Sequence, residues 1–251
     1  MPYGFVVIYN NSKHSVIKGR LRESNERNKG KKSFEELQGE KASVTFANIY
    51  KSGYWTGSDK NDESMSGEGS FLKNTTVIRK ALPKIWSKFD IKSFLDVPCG
   101  DYNWMKVVDK TGIEYIGGDI VDDVVKANNA QYQCDNVHFE TIDITKDKLP
   151  KTDMIFCKDC IQHLSYKSVN RALKNFANSG AKYLLITSYP YTLQNWDIID
   201  GDYRPLNLLV EPFCLPEPIL RIHKKHLTGV EPDKMMFLYK IDGIKEQVNE
   251  L

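Results

Sequence analysis

The stretch "SFLDVPCGDYNWM", residues 93–105, decides the fold of this 251-residue chain. Its apolar start, residues 94–97, predicts a buried strand, and the Pro-Cys-Gly sequence after it predicts a turn. Ligands of open α/β sheets bind beyond the carboxyl ends of the strands, usually at the turn after the first strand. Pro98 stiffens this turn, and Gly100 lets the backbone approach a ligand closely. We therefore interpret it as a binding turn, and we expect Trp104 to anchor the following helix in the core.

The turn lacks the two common glycine patterns that bind phosphate groups. Neither G-x-G-x-x-G nor G-x-x-x-x-G-K-S/T is present, so the backbone amides that usually cradle phosphates are missing. We therefore expect a ligand without phosphates.

Strands and helices alternate after residue 93, which predicts a parallel sheet covered on both faces. Further predicted strands cover residues 115–120, 137–142, 154–157 and 183–187. A helix is predicted from the N-cap Ser165 to Gly180, and another over residues 71–88 with a kink at Pro83. The tail, residues 217–225 and 234–242, predicts two strands joined without a helix, and these would form an antiparallel edge. Together, these strands and helices predict a mostly parallel, Rossmann-like sheet of seven strands.

Composition divides the chain into three parts. We expect an N-terminal extension or arm over residues 1–45, a helical cap with a "SGEGS" lid over 46–90, and the binding core over 91–251. The charged run 18–41 is typical of a solvated helix or a flexible arm. The 35 basic and 33 acidic residues nearly cancel, which disfavours nucleic acid and membrane surfaces as partners.

Cysteine usage and hydropathy indicate a cytoplasmic protein. No apolar run approaches the ~18 residues of a membrane span, and the start of the sequence lacks the pattern of a signal peptide. Five cysteines, an odd number, fit a reducing compartment. "CKDC", residues 157–160, has no second pair for a zinc site, so we interpret it as two thiols at a strand end.

Four motifs in order resemble those of class I S-adenosylmethionine-dependent methyltransferases. "FLDVPCGDYNWM" resembles motif I, D-x-G-x-G-x-G, with Asp96 and Gly100 kept and Pro98 and Tyr102 replacing two glycines. "YIGGDIV", "FETIDIT" and "DMIFCKDCIQHLS" follow at the ends of the second, third and fourth strands. The resemblance implies S-adenosylmethionine as cofactor and S-adenosylhomocysteine as product.

The resemblance also implies roles for individual residues. Asp119 would accept both ribose hydroxyls, as a carboxylate can, and Asp143 would lie near the adenine amino group. From the turn itself we expect Asp101 and Asn103 at the methionine end, and from the position of the lid we expect the Ser66 or Ser70 hydroxyl there as well. The full set of expected cofactor residues is Asp96, Pro98, Gly100, Asp101, Asn103, Asp119, Ile120, Asp143, Ile144, Lys158, Ser66, Gly67 and Ser70.

A narrower resemblance covers residues 46–245. "IYKSGYW", "SGEGS", "CKDCIQHLS", "YLLITSY" and "GDYRPLNLLVEPFCLPEP" are similar to stand-alone methyltransferases of bacterial polysaccharide gene clusters and large DNA viruses. This resemblance implies O-methylation of a sugar hydroxyl on a glycan or its precursor. Alternatives are another small-molecule acceptor, RNA, or a cofactor-binding subunit without catalysis.

Methyl transfer to an alcohol needs a base, and histidine suits that task near neutral pH. His163 follows Asp159 by four residues, so one helical turn would bring both to the pocket, with His163 as base and Asp159 orienting it or the acceptor. A competing route holds Mg²⁺ with Asp159 and Asp197, Asp200 or Asp202.

The segment after the fifth strand, residues 189–213, is the expected acceptor pocket because it is long and rich in aromatic and hydrogen-bonding groups. An ordinary surface loop with a few buried aromatics is the alternative. The expected acceptor residues are Tyr189, Asn195, Trp196, Asp197, Asp202, Arg204 and Asn207.

Overall fold

Seven strands form one sheet in the order β3-β2-β1-β4-β5-β7-β6. The structure, a computed structural model, describes residues 34–56, 63–223 and 233–251. The strands are β1 Ser93–Asp96, β2 Glu114–Asp119, β3 Val137–Thr141, β4 Met154–Cys157, β5 Tyr183–Ser188, β6 Leu220–His223 and β7 Met235–Lys240. The first five are parallel, and β7 pairs antiparallel with β5 and β6. The predicted fold, with its antiparallel C-terminal edge, is confirmed.

Helices cover both faces of this sheet. They are α1 Phe34–Leu37, α2 Ala42–Ser52, α3 Leu72–Lys88, α4 Asp122–Tyr132, α5 Tyr166–Asn178 and α6 Lys245–Glu250. The expected arm lies mostly in residues 1–33, outside the described residues. In the part of the chain that the structure describes, no helix has both the length and the apolar character to cross a membrane.

Alternate side chains of the central strands β1, β4, β5 and β7 enter two separate cores. In β1, Phe94 packs with α3 and α4, whereas Leu95 packs with α5 and α6. All four residues of β4 are buried. Strands covered on both faces are continuously apolar, which is why they were visible in the sequence.

Helix α5 begins and ends where its sequence predicts. The Ser165 hydroxyl caps it by accepting the Ser168 N–H at 3.3 Å, and Gly180 follows its end with φ 84°. Helix α3 includes Pro83 in its interior.

The expected first helix is not formed between β1 and β2. That connection contains only a 3₁₀ turn, Met105–Val107. Tyr102 lies in the left-handed region with φ 58°, which interrupts a right-handed helix directly after the binding turn. Trp104 is buried and packs its ring on Phe156 at 5.9 Å, so it anchors this connection in the core without a helix.

Candidate active site

A cleft opens at the carboxyl ends of β1, β2 and β4. Its wall is mixed, with apolar side chains between separate acidic groups. The predicted residues that line it are Ser66, Ser70, Asp96, Pro98, Gly100, Asp119, Ile120, Asp143, Ile144, Lys158, Asp159 and His163. The structure thus brings together residues predicted from four motifs that are far apart in the chain.

Gly100 is required by the conformation and the neighbours of the binding turn. Its φ is +56°, and a Cβ there would lie 2.3 Å from the Ser66 hydroxyl oxygen. Its N–H donates to Asp119 Oδ2 at 3.1 Å, which ties this turn to the end of β2.

Asp119 is a buried acid with oxygens held in place by backbone amides. Oδ2 accepts from Gly100, and Oδ1 accepts the Val121 N–H at 3.0 Å. Burial raises the pKa of Asp119 to about 6, although these amides lower it. Each carboxylate oxygen has a further lone pair, so this fixed, cleft-lining acid fits a pair of ribose hydroxyls.

Asp96, at the end of β1, is a second buried acid of the cleft. Burial raises its pKa to about 7, while the Tyr115 hydroxyl, which donates to Oδ2 at 2.7 Å, opposes that rise. An acid in this position fits the cationic groups of S-adenosylmethionine.

Asp143 and Ile144 line the cleft beyond β3. Asp143 Oδ1 accepts the Thr145 N–H at 2.9 Å and its hydroxyl at 2.7 Å. Burial would raise the pKa of Asp143, but these bonds and Lys146 bring it below the usual value. An ionised acid beside apolar Ile144 fits the amino group and ring of adenine.

The SGEGS lid is held over the binding turn by Asp101 and Asn103. Asp101 accepts from the Ser64 hydroxyl at 3.0 Å and the Met65 N–H at 2.7 Å, and Asn103 donates to the Ser70 carbonyl at 3.1 Å. Neither residue, nor Gly67, is among those that line the cleft. Asp101 and Asn103 thus bond to the lid, and their contact with the methionine end stays a prediction.

Helix α2 and the turn after it form one wall of the cleft. This wall was not predicted from the sequence. Ala42, Phe46 and Tyr50 line the cleft together with Trp55. The Tyr50 hydroxyl and the Ser66 hydroxyl are 2.8 Å apart, so this wall is joined to the lid. The i, i+4, i+8 spacing of the three helical residues is the signal that could have found it.

Asp159 forms an ion pair with two lysines. The Lys158 ammonium lies 2.5 Å from Oδ2 and also donates to the Gly69 carbonyl of the lid at 2.9 Å, and the Lys234 ammonium lies 3.0 Å from Oδ1. Burial would raise the pKa of Asp159, but the two cations outweigh it and hold the pKa far below its usual range. Lys234 was not predicted, and it reaches the site from the start of β7.

His163 lies at the cleft in a 3₁₀ turn, Ile161–His163. Its Nδ1 is 2.9 Å from the Asp202 carbonyl oxygen. The rings of Trp55 and Tyr203 lie 5.2 and 5.6 Å from its ring. Because a carbonyl oxygen only accepts, this bond places a proton on Nδ1 and leaves the lone pair of a neutral ring on Nε2.

The seven expected acceptor residues do not line the cleft. Asn195 donates to the carbonyls of Asn207 and Glu211, both at 2.8 Å, and Asn207 donates to the Thr192 carbonyl at 2.9 Å. The amide groups expected to meet sugar hydroxyls are therefore bonded to the backbone of their own loop. Contact of these side chains with an acceptor stays a prediction.

Two other expected acceptor residues are fully buried. Tyr189 and Arg204 have no exposed surface, and Arg204 donates its backbone N–H to the Gln162 carbonyl at 3.0 Å. Burial lowers the pKa of Arg204 to about 10. Both side chains lie inside the protein because a long irregular loop needs a core of its own.

The three aspartates considered for Mg²⁺ are bonded elsewhere. Asp197 accepts the Tyr166 N–H and Asp200 the Ser165 N–H, both at 2.7 Å, at the start of α5. Asp200 also lines the cleft, and Asp202 Oδ1 accepts the Tyr203 N–H. Across the described ranges, no cluster of three or more His, Cys, Asp or Glu is arranged for a metal. The donor sets proposed for Mg²⁺ therefore do not converge.

Residues 95–180 match the family described as "Methyltransferase domain". They run from β1 to the end of α5 and include the binding turn, Asp119, Asp143, Asp159 and His163. The fold is that of class I methyltransferases, and the matched domain indicates an S-adenosylmethionine-dependent methyltransferase with S-adenosylmethionine as the methyl donor. A comparison with curated proteins gave no significant match.

Solved structures with the same fold are distant in sequence. Human N-acetylserotonin methyltransferase, solved with S-adenosylmethionine, is 13% identical with a TM-score of 0.53 over 91% of this chain and 67% of that one. The methyltransferase domain of bacterial CtHen1-CN is 10% identical with a TM-score of 0.52 over 68% of this chain and 100% of that one. N-methyltransferase NodS from Bradyrhizobium japonicum, with S-adenosylhomocysteine, is 13% identical with a TM-score of 0.50 over 65% and 85%. This similarity establishes the fold. The class of methyl acceptor has to be inferred from the residues of the site.

Proposed function

We propose that this enzyme methylates a sugar hydroxyl of a glycan or glycan precursor, with His163 as the general base. The observation that carries the proposal is the 2.9 Å hydrogen bond between His163 Nδ1 and the Asp202 carbonyl at the cleft. This bond fixes the tautomer in which Nε2 can take up the proton of an acceptor hydroxyl.

The protein's part in the reaction is to position the acceptor, accept its proton and exclude water. S-adenosylmethionine supplies, when bound, a methyl group activated by a sulfonium. Trp55 and Tyr203 flank the His163 ring and restrict its orientation. Tyr50 and Ser66 also line the cleft, and their hydroxyls, 2.8 Å apart, join the α2 wall to the lid.

Asp159 has a different role from the one that the sequence suggests. Both its oxygens are paired with lysines, and its low pKa makes it a poor proton acceptor. We assign it to holding Lys158 against the Gly69 carbonyl, and thus the lid against β4. His163 is then the base, oriented by the Asp202 backbone carbonyl as other catalytic histidines are.

A sugar acceptor is supported by the aromatic groups around the base. Trp55 and Tyr203 offer ring faces next to His163, and ring faces pack on the apolar faces of sugars. The narrower sequence resemblance gives the same acceptor class.

An acceptor screen tests this proposal. The enzyme is incubated with methyl-labelled S-adenosylmethionine and a panel of methyl glycosides, nucleosides and small amines, and the methylated atom is located by NMR. We expect label on a hydroxyl oxygen of a sugar. Label on a nitrogen, or on none of the sugars, contradicts the proposal.

A further inference from the structure

The loop after β5 presents an exposed apolar surface next to the cleft. Its members are Tyr191, Leu193, Trp196, Ile199 and Tyr203, here called the apolar loop surface, with exposures of 62, 66, 40, 57 and 36%. Exposing such large side chains so densely is unfavourable in water, and contiguous patches of this kind usually mark a binding surface.

This surface is displayed on a fixed backbone. Asn195 and Asn207 cross-link the loop through its own carbonyl groups, and Asp197 and Asp200 bind the start of α5. An apolar surface that is already ordered loses little conformational entropy on binding.

The surface is continuous with the base. The ring of its last member, Tyr203, lies 5.6 Å from the His163 ring, and Asp200, between Ile199 and Tyr203, lines the cleft. Successive members are at most four residues apart in the chain, so all of them belong to the segment that ends beside the base.

Charge excludes two classes of partner. Residues 189–204 contain Asp197, Asp200 and Asp202, and their one basic residue, Arg204, is fully buried. This segment, with three acids and no exposed cation among its own residues, repels phosphates of nucleic acids and anionic lipids. Rings and apolar side chains between carboxylates instead suit an uncharged polyhydroxyl chain.

We propose that the apolar loop surface binds an uncharged glycan chain of more than one sugar, whose terminal residue enters the cleft. This inference rests on the proposed function and extends it, because it assigns subsites beyond the sugar that reacts.

The test uses the full chain saturated with S-adenosylhomocysteine on an array of uncharged, sialylated and sulfated glycans. Variants are Trp196→Ala and Tyr191→Ala, and the matched controls are Val107→Ser and Ile219→Ser, which alter exposed apolar residues elsewhere. We expect binding to uncharged glycans, weakened about tenfold by each surface variant and unchanged by the controls. All four positions are exposed, so the variants should retain the thermal transition of the wild type.

Several results would overturn the inference. They are no binding to uncharged glycans, equal binding by wild type and Trp196→Ala, or binding to RNA or phosphatidylserine vesicles that Trp196→Ala abolishes. A dimer in analytical ultracentrifugation that Trp196→Ala dissociates would likewise make the surface a self-interface.

The results distinguish failure of the proposed function from failure of the proposed glycan-binding surface. If glycans bind through the loop and no hydroxyl is methylated, the surface is supported and O-methylation is wrong. If single sugars are O-methylated and the array is negative, O-methylation is supported and the surface is wrong.

Discussion

The backbone N–H of Gly100 donates to the carboxylate of Asp119 at 3.1 Å, joining the ends of β1 and β2 at the cofactor side of the cleft. This relationship fixes the acid that we expect to bind the ribose. Replacing one carboxylate oxygen by an NH₂ group would remove an acceptor and face a donor towards an N–H.

Asp119→Asn should therefore weaken S-adenosylhomocysteine binding by about 10- to 100-fold, which corresponds to ~1.4–2.7 kcal/mol. Calorimetry at pH 8 measures it, because the carboxyl group, with a pKa of about 6, is ionised there. Asp135→Asn, at an exposed position, is the control and should bind normally. Equal affinities would remove Asp119 from the cofactor site.

Comparing Gly100→Ala with Gly112→Ala separates the cost of backbone strain from the cost of a steric clash. Both glycines have positive φ, 56° and 74°, but only at Gly100 would the new methyl meet atoms within 4 Å, the nearest being the Ser66 hydroxyl oxygen. We expect Gly112→Ala to lower the free energy of unfolding by ~1 kcal/mol, and Gly100→Ala by at least ~2 kcal/mol. Urea denaturation of both variants provides the comparison, and equal losses would contradict the packing of the lid on the turn.

The raised pKa of Asp96 predicts that the free energy of unfolding depends on pH in an unusual way. Burial raises its pKa from 3.8 to about 7 in the folded protein, so between these values the folded state binds more protons than the unfolded state. Its contribution to the free energy of unfolding therefore falls as pH rises through this interval.

Asp96→Asn should accordingly stabilise the protein at pH 8, on the order of 3 kcal/mol, because the amide has no charge to bury and its oxygen still accepts from Tyr115. The gain should shrink towards pH 4. Urea titrations at pH 8, 6 and 4.5 measure it, and a gain that is independent of pH would show that Asp96 is not the titrating group.

Lys234→Met tests the ion pair of Asp159. Lys234 and Asp159 are 11 and 19% exposed, so removing the cation leaves a buried carboxylate with Lys158 alone. We expect a loss of ~1–3 kcal/mol at pH 8 and a higher pKa of Asp159.

The matched control is Lys182→Met. This lysine pairs with Asp153 at 2.8 Å but is 67% exposed, so its loss should cost less than ~1 kcal/mol. Equal effects of the two variants in urea denaturation would contradict the distinction between a buried and an exposed pair.

The strands, the cap of α5 and the acids at strand ends were predictable because each depends on a short local pattern. Ser165 and the run before Asp96 are examples. The wall formed by Tyr50 and the pairing of Asp159 with Lys234 were not predictable in this way, since their partners lie far away in the chain. The partner of the Asn195 amide was also not predictable. The sequence is the same whether this amide bonds its own loop or contacts a sugar.

The central claim is that His163 is the base of an S-adenosylmethionine-dependent O-methylation. The most direct measurement compares kcat and S-adenosylhomocysteine affinity of wild type, His163→Ala and the control His138→Ala, whose histidine lies on β3 and pairs with Glu140 at 3.8 Å. We expect His163→Ala to lower kcat by about 10²- to 10⁴-fold while cofactor affinity changes less than about twofold, and we expect His138→Ala to alter neither. Near-normal turnover by His163→Ala with the cofactor bound would contradict it.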